Sequence, residues 1–176
     1  MYNIFSPHNK HNGMISYTKR PIINRIGNEV IEMNFEDLIR ELGGEVLNLG
    51  EPVKTVEQAV RASGVPRRKI VKSIVLIGKK TPLLVIVDGE AKVSFKKLKE
   101  MFGKVRMAKP EEVQKLTGYE IGSVPPVGVN IKTIVDKRVM ENDYVLGGGG
   151  SIDRLIKIDP KRIVEHQKAE ILDIIE

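Results

Sequence analysis

Two apolar, β-branched runs stand almost back to back in the middle of the chain, KIVKSIVLI over 69–77 and TPLLVIV over 81–87, separated only by Gly-Lys-Lys. Runs of seven to nine such residues bounded by turn signals predict buried strands, and the Asp88-Gly89 pair closes the second. A chain that carries two inner strands so close together must build its core around them. The flanking sequence offers helices for that purpose. Asn34 and Asp37 make a capping-box-like start for FEDLIREL, whose Phe35, Leu38, Ile39 and Leu42 form one apolar stripe ending at Gly43-Gly44. Thr55 and Gln58 make a second box for a helix ending at Gly64, and Pro66 bars its continuation.

The remaining elements follow from similar punctuation. Ser94 caps FKKLKEMF before Gly103, KVRMA predicts a short strand, and Pro110 with Glu111 and Glu112 opens EEVQKL. Then come strands NIKTIV, DYVL and RLIKI, with the glycine run 147–150 as a connection before the last, and one or two helices to the end. Strands and helices mix without regular βαβ alternation, which predicts an α+β fold with a mixed sheet. Residues 1–33 differ in character, with one weak hairpin around Gly27-Asn28, and are expected to be an N-terminal extension or arm; residues 34–176 are expected to be a single domain with C-terminal helices.

The composition removes several chemistries. The chain has no Cys and only three His, at 8, 11 and 166, so thiol nucleophiles, Cys-ligated metals and a His-based triad lose their residues. Neither GxxxxGK[ST] nor GxGxxG occurs. No apolar stretch approaches the length of about 18 residues needed to span a membrane, and the polar start does not resemble a secretory signal, so the expected location is cytoplasmic. No cofactor is expected.

Charge is segregated. Residues 61–115 hold 15 of the 29 Lys and Arg but 5 of the 23 Asp and Glu, a local balance of +10 against −4 for the rest. A one-sided basic region in an otherwise acidic chain points to a polyanion partner such as nucleic acid. Arg67, Arg68 and Lys69, which follow a proline at a helix-to-strand connection, are expected to be exposed and to contact phosphates away from the Lys72 site. Lys72 is different, because it interrupts an apolar run on the face shared by Ile70 and Ile74, where an ammonium requires a partner or an anionic ligand. The stretch from Gly118 to Gly128, which contains Tyr119, Gly122, Ser123, Val124, Pro125 and Pro126, is a shaped loop whose backbone N–H groups can face an oxyanion, and Gly147, Gly148, Gly149 and Gly150 offer a second set.

The order of these features, a helix ending in ASGVP, IVKSIV, LTGY, GSVPPVG, the Asp-bearing IVD and the glycine run, resembles the YbaK / prolyl-tRNA-synthetase-associated editing-domain family over roughly residues 34–165. The resemblance implies a curved, barrel-like mixed sheet flanked by helices and a free-standing aminoacyl-tRNA deacylase that hydrolyses the ester of mischarged tRNA in trans. It implies mischarged tRNA, held by its 3′ acceptor end, as partner, with an aminoacyl-tRNA synthetase as a second. Lys72 matches the family's strand lysine, Gly122 and Pro126 the ends of its GxxxP loop, Gly128 the glycine beyond, and Gly147 to Gly149 its small-residue loop. Pro125 stands where many members carry Ser, and no His occurs near the glycine run. The rival reading, for which the basic segment suffices, is a catalytically silent tRNA- or RNA-binding or regulatory module of the same fold.

Overall fold

The computed structural model describes residues 22–26 and 28–176. The expected leader up to residue 21, with His8 and His11, and Gly27 of the hairpin turn lie outside the described residues. Strands β1 (Ile22–Ile26) and β2 (Glu29–Met33) pair antiparallel, Ile22 opposite Met33. Both of those end residues pack against the main core, so this hairpin touches the body it precedes. Helix α1 (Phe35–Glu41) starts where the Asn34 side chain accepts the Asp37 amide at 2.8 Å, and it buries Phe35, Leu38 and Ile39. β3 (Glu45–Asn48) follows, then α2 (Val56–Ser63). Here the reciprocal Thr55–Gln58 box is complete and Gly64 ends the helix at φ 72°.

A single 3-10 turn over Arg67–Lys69 leads into β4 (Val71–Gly78), which pairs antiparallel with β5 (Pro82–Asp88). α3 (Phe95–Phe102), capped by Ser94, precedes β6 (Val105–Met107), and α4 (Pro110–Thr117) ends at Gly118. After the irregular 119–131 stretch come β7 (Lys132–Asp136), a 3-10 turn over Val139–Glu141, β8 (Val145–Gly148), β9 (Arg154–Ile158), α5 (Pro160–Gln167) and β10 (Glu170–Leu172).

The larger sheet has the order β10-β7-β5-β4-β6 and is mixed, since β7 lies parallel to both β5 and β10. Its centre is the second of the two apolar runs. Leu84 and Ile86 face the main core, while Leu83, Val85 and Val87 face a second core under α3. Burial on both faces is the physical reason β5 is apolar without alternation. A smaller antiparallel sheet, β3-β9-β8, meets the larger one at one parallel bridge, Ile70 to Leu146.

The fold is α+β with a mixed sheet, as expected, and no closed barrel is found among the described residues. Two expectations are corrected. The glycine run is not wholly a connection, because Gly147 and Gly148 are strand residues opposite Ile156 and Leu155. They serve there because other backbone and rings crowd them: a Cβ on Gly147 would sit 3.0 Å from the Pro126 ring, and one on Gly148 would strike the Val124 carbonyl oxygen. Finally, the chain after β9 has one helix and then strand β10. Lys168 makes that turn at φ 50°, so no glycine marks the stop.

Candidate active site

A cavity of about 430 Å³ lies beside β4, between the start of α2, the 121–124 segment and the end of β8. It exists because β4 is only partly covered. β6 pairs with Leu76 to Gly78, and the Ala108 amide donates to the Val75 carbonyl at 3.1 Å, so Val71 to Ile74 keep a free edge on that side. Strand alternation then directs the backbone N–H and C=O of Ser73, which shares the parity of Val75, out of this edge.

The facing edge belongs to β8. The Gly149 amide donates to the Arg154 carbonyl at 3.0 Å, which makes 149/154, and two residues earlier 147/156, the hydrogen-bonded pairs of the β8–β9 ladder. Gly148 falls between them, so its N–H and C=O point away from β9 and toward the free edge of β4. Leu146, of the same parity, makes the bridge to Ile70. Val71 to Val75 of β4 and Gly147 and Gly148 of β8 line the cavity.

Lys72 lines this cavity and donates from Nζ to the Ala91 carbonyl at 2.5 Å. Burial pushes its ammonium below the ordinary lysine value; the Asp88 carboxylate opposes the shift, the Arg67 charge adds to it and Glu57 opposes it. Gly122, Val124, Gly147 and Gly148 line the cavity with it, as expected. The amides of Gly122 and Val124 make no hydrogen bond among the described residues.

The other expected residues of the 118–128 loop and the glycine run do not line it. Pro126 packs behind Gly147. The amides of Gly149 and Gly150 are spent on the Arg154 and Ser123 carbonyls, and that of Ser123 on the Glu120 carbonyl. Tyr119 is buried edge-on to Phe35 at a ring distance of 6.4 Å, Pro125 is buried, and Gly128 turns at φ 72° against Leu38. These residues shape the loop from behind.

Of the basic triplet, Arg67 is exposed as expected and Arg68 and Lys69 are half-buried, but all three have partners within the protein. Arg67 lines the cavity rim and pairs with Glu57 at 2.8 Å. Arg68 is half-buried and bridges Asp88 and Glu141, each at 2.8 Å. Lys69 pairs with Asp143 and lies 3.9 Å from the centre of the Tyr144 ring. Carboxylates distant in sequence take up all three.

Ser73 is the site residue the sequence reading missed. It lines the cavity, and its Oγ is buried without a hydrogen-bond partner. Alternation puts it on the opposite face of β4 from Lys72; the free edge is what lets both reach one space. An unpaired buried hydroxyl destabilises the empty protein, so Ser73→Ala is expected to leave stability unchanged or raise it by about 1 kcal/mol in urea unfolding. A loss of stability would show that the hydroxyl is satisfied. Among the described residues no cluster of three His, Asp or Glu is placed to hold a metal, and no helix is long and apolar enough to cross a membrane.

A lysine on β4 and two glycines of β8 thus line one cavity. The chain belongs to the aminoacyl-tRNA editing domain family, which matches residues 50–165. It is 35% identical to the uncharacterized protein YwhH of Bacillus subtilis (strain 168) over 121 residues, covering 66% of this chain and 77% of that protein. It is 36% identical over 99 residues to the proline–tRNA ligase of Thermotoga maritima; the match takes in 54% of this chain but only 17% of the ligase. Among solved structures, the hypothetical protein APE2540 superposes with a TM-score of 0.74 at 33% identity, covering 80% of this chain and 98% of that one. A protein described as a candidate trans-editing enzyme for prolyl tRNA synthetase superposes with a TM-score of 0.71 at 31% identity, over 76% of this chain and 87% of that one.

Proposed function

We propose that the protein is an aminoacyl-tRNA deacylase acting in trans, which hydrolyses the ester between a wrong amino acid and the 3′ end of tRNA. The observation that supports this reading is the cavity beside β4, which Lys72, Gly147 and Gly148 line together; ladder parity directs the Gly148 N–H away from β9 and toward β4. Membership of the editing-domain family supports this reaction class. The relatives YwhH and APE2540, of which this chain covers most, support an editing domain that works outside a synthetase.

In this mechanism the ester carbonyl oxygen accepts from the Gly148 N–H, and Lys72 holds a ribose or terminal phosphate oxygen. Water adds to the carbonyl carbon, and negative charge develops on the oxygen facing the amide. The bond to the ribose oxygen then breaks, that oxygen takes a proton, and the free amino acid and tRNA leave. An aminoacyl ester is intrinsically labile, so an oxyanion donor of about 3 kcal/mol together with positioning provides acceleration without a His or Cys base. The test is incubation with a panel of mischarged tRNAs while loss of the aminoacyl group is followed. No faster loss than in buffer, alongside intact tRNA binding, would leave the silent binding module.

The charge state of Lys72 gives this reading a pH signature. Because burial lowers its proton affinity, the ammonium is lost as pH rises through a value below that of free lysine. The enzyme-catalysed rate, after subtraction of spontaneous hydrolysis, is therefore expected to fall on the alkaline side earlier than an unperturbed lysine allows. Lys72→Arg, which stays charged, should remove that fall from whatever activity it keeps.

A further inference from the structure

The basic segment of the chain still lacks a partner for its charge, since the triplet 67–69 is neutralised internally. Of the basic residues in that segment without an ion pair among the described residues, three lie at neighbouring chain positions at one end of β4 and β6. Lys79 and Lys80 form the exposed turn between β4 and β5, and Lys104 is the exposed residue that leads into β6. None of the three makes an ion pair among the described residues. The register ends at the pair Gly78 and Val105, and Lys79 and Lys104 are the residues next to that pair in the chain.

This cluster connects to the cavity along a single strand. From Lys104, β6 runs through Val105 and Arg106 to Met107, a path of about 10 Å at the ordinary strand rise. Met107 lines the cavity mouth together with Ile121, and the two are large apolar side chains left 49% and 43% exposed. An apolar lip at a cavity mouth suits an unstacked base, and a lysine cluster one short strand away suits the phosphates that follow it.

We propose that the edge of β6, from the Lys79–Lys80–Lys104 cluster to the Met107–Ile121 lip, is the docking surface for the single-stranded 3′ end and acceptor-stem phosphates of RNA. The inference rests on the deacylase reading for the direction of the strand, with the terminal nucleotide at the lip and the phosphates toward the lysines. Its test does not require catalysis. Lysines on an edge strand can also serve only to block pairing with another sheet edge, and a neighbouring acidic protein could take the same charge.

The experiment measures binding of fluorescent, uncharged tRNA by anisotropy across a salt series, for the intact protein and for the triple variant Lys79→Gln, Lys80→Gln, Lys104→Gln. The variant is expected to bind at least tenfold more weakly, and its log–log salt slope to be shallower by about 0.7 to 0.9 for each phosphate that the lysines no longer neutralise. Changing the same three lysines to Arg should keep both affinity and slope. Equal binding and slope in the Gln variant overturns the proposal and leaves edge protection; so does an intact protein that binds no tRNA but captures an acidic protein through these residues. Should the triple variant aggregate, Lys80→Glu alone, at an exposed turn, provides the same comparison. If tRNA binds through these lysines but no ester is hydrolysed, the surface stands and the deacylase reading falls.

Discussion

Lys72→Ala is expected to reduce the single-turnover deacylation rate at saturating protein about a hundredfold, while leaving the fold intact. The side chain lies at a free edge and its one hydrogen bond in the protein goes to the Ala91 carbonyl, so its removal opens space at the cavity wall without exposing the core. The magnitude is that of losing one preorganised charge or donor next to the reacting group in a water-poor site. Measuring a single turnover separates the chemical step from tRNA affinity, to which the same charge contributes. A full rate in the alanine variant would make Lys72 a polar strand residue with no part in the reaction. The site proposal would then fail.

The largest effect on stability is expected at Asp88, which no sequence feature singles out beyond its place in a turn. Its carboxylate is fully buried, accepts from Arg138 at 2.6 and 2.8 Å, from Arg68 at 2.8 Å, and from the Glu90 amide at 2.9 Å. Burial alone would raise its proton affinity; the Arg138 hydrogen bonds, the Glu90 amide and the charges of Arg138 and Arg68 outweigh it and hold the carboxyl below its usual value. Asp88→Asn leaves two half-buried guanidinium groups facing a neutral side chain, at a cost of about 3 kcal/mol, because both retain some solvent. The sign of the pH effect follows. A carboxyl with depressed folded-state pKa contributes its full stabilisation above the unfolded value and loses it as pH falls through the folded one. Urea midpoints measured from neutral to acidic pH should therefore converge between the parent and Asp88→Asn. Equal midpoints at neutral pH would show that the arginines are solvated enough to need no counter-charge.

Local signals gave the elements whose causes are local. The Thr55–Gln58 box, the Ser94 cap and the RLIKI strand lie where the residues place them, because a cap or an alternating run acts within a few positions. What the sequence hides is set by partners far along the chain. Arg68 reads as exposed because Asp88 and Glu141 lie 20 and 73 residues away, and β10 is missed because the β7 strand that pairs with it lies 36 residues earlier, counting from Ile134 to Glu170. Gly147 and Gly148 read as linker because glycine is a poor strand former; only the approach of the Pro126 ring and the Val124 carbonyl explains why a strand needs them. The candidate site was legible as a lysine and two glycine-bearing segments. Which amides stay unspent depends on ladder parity, which one chain's letters do not display.

In the proposed reaction the group placed closest to the ester, the Gly148 N–H, belongs to the main chain. An alanine scan cannot delete it, and each side chain introduced there acts by driving back the Val124 carbonyl instead. Its contribution is measurable only by replacing the peptide unit itself, for example with an ester bond at that position through semisynthesis, which removes one hydrogen-bond donor and leaves every side chain in place. The same property means that, in the proposed reaction, the donor comes from the backbone of a strand that ends in two glycines packed against Pro126 and Val124.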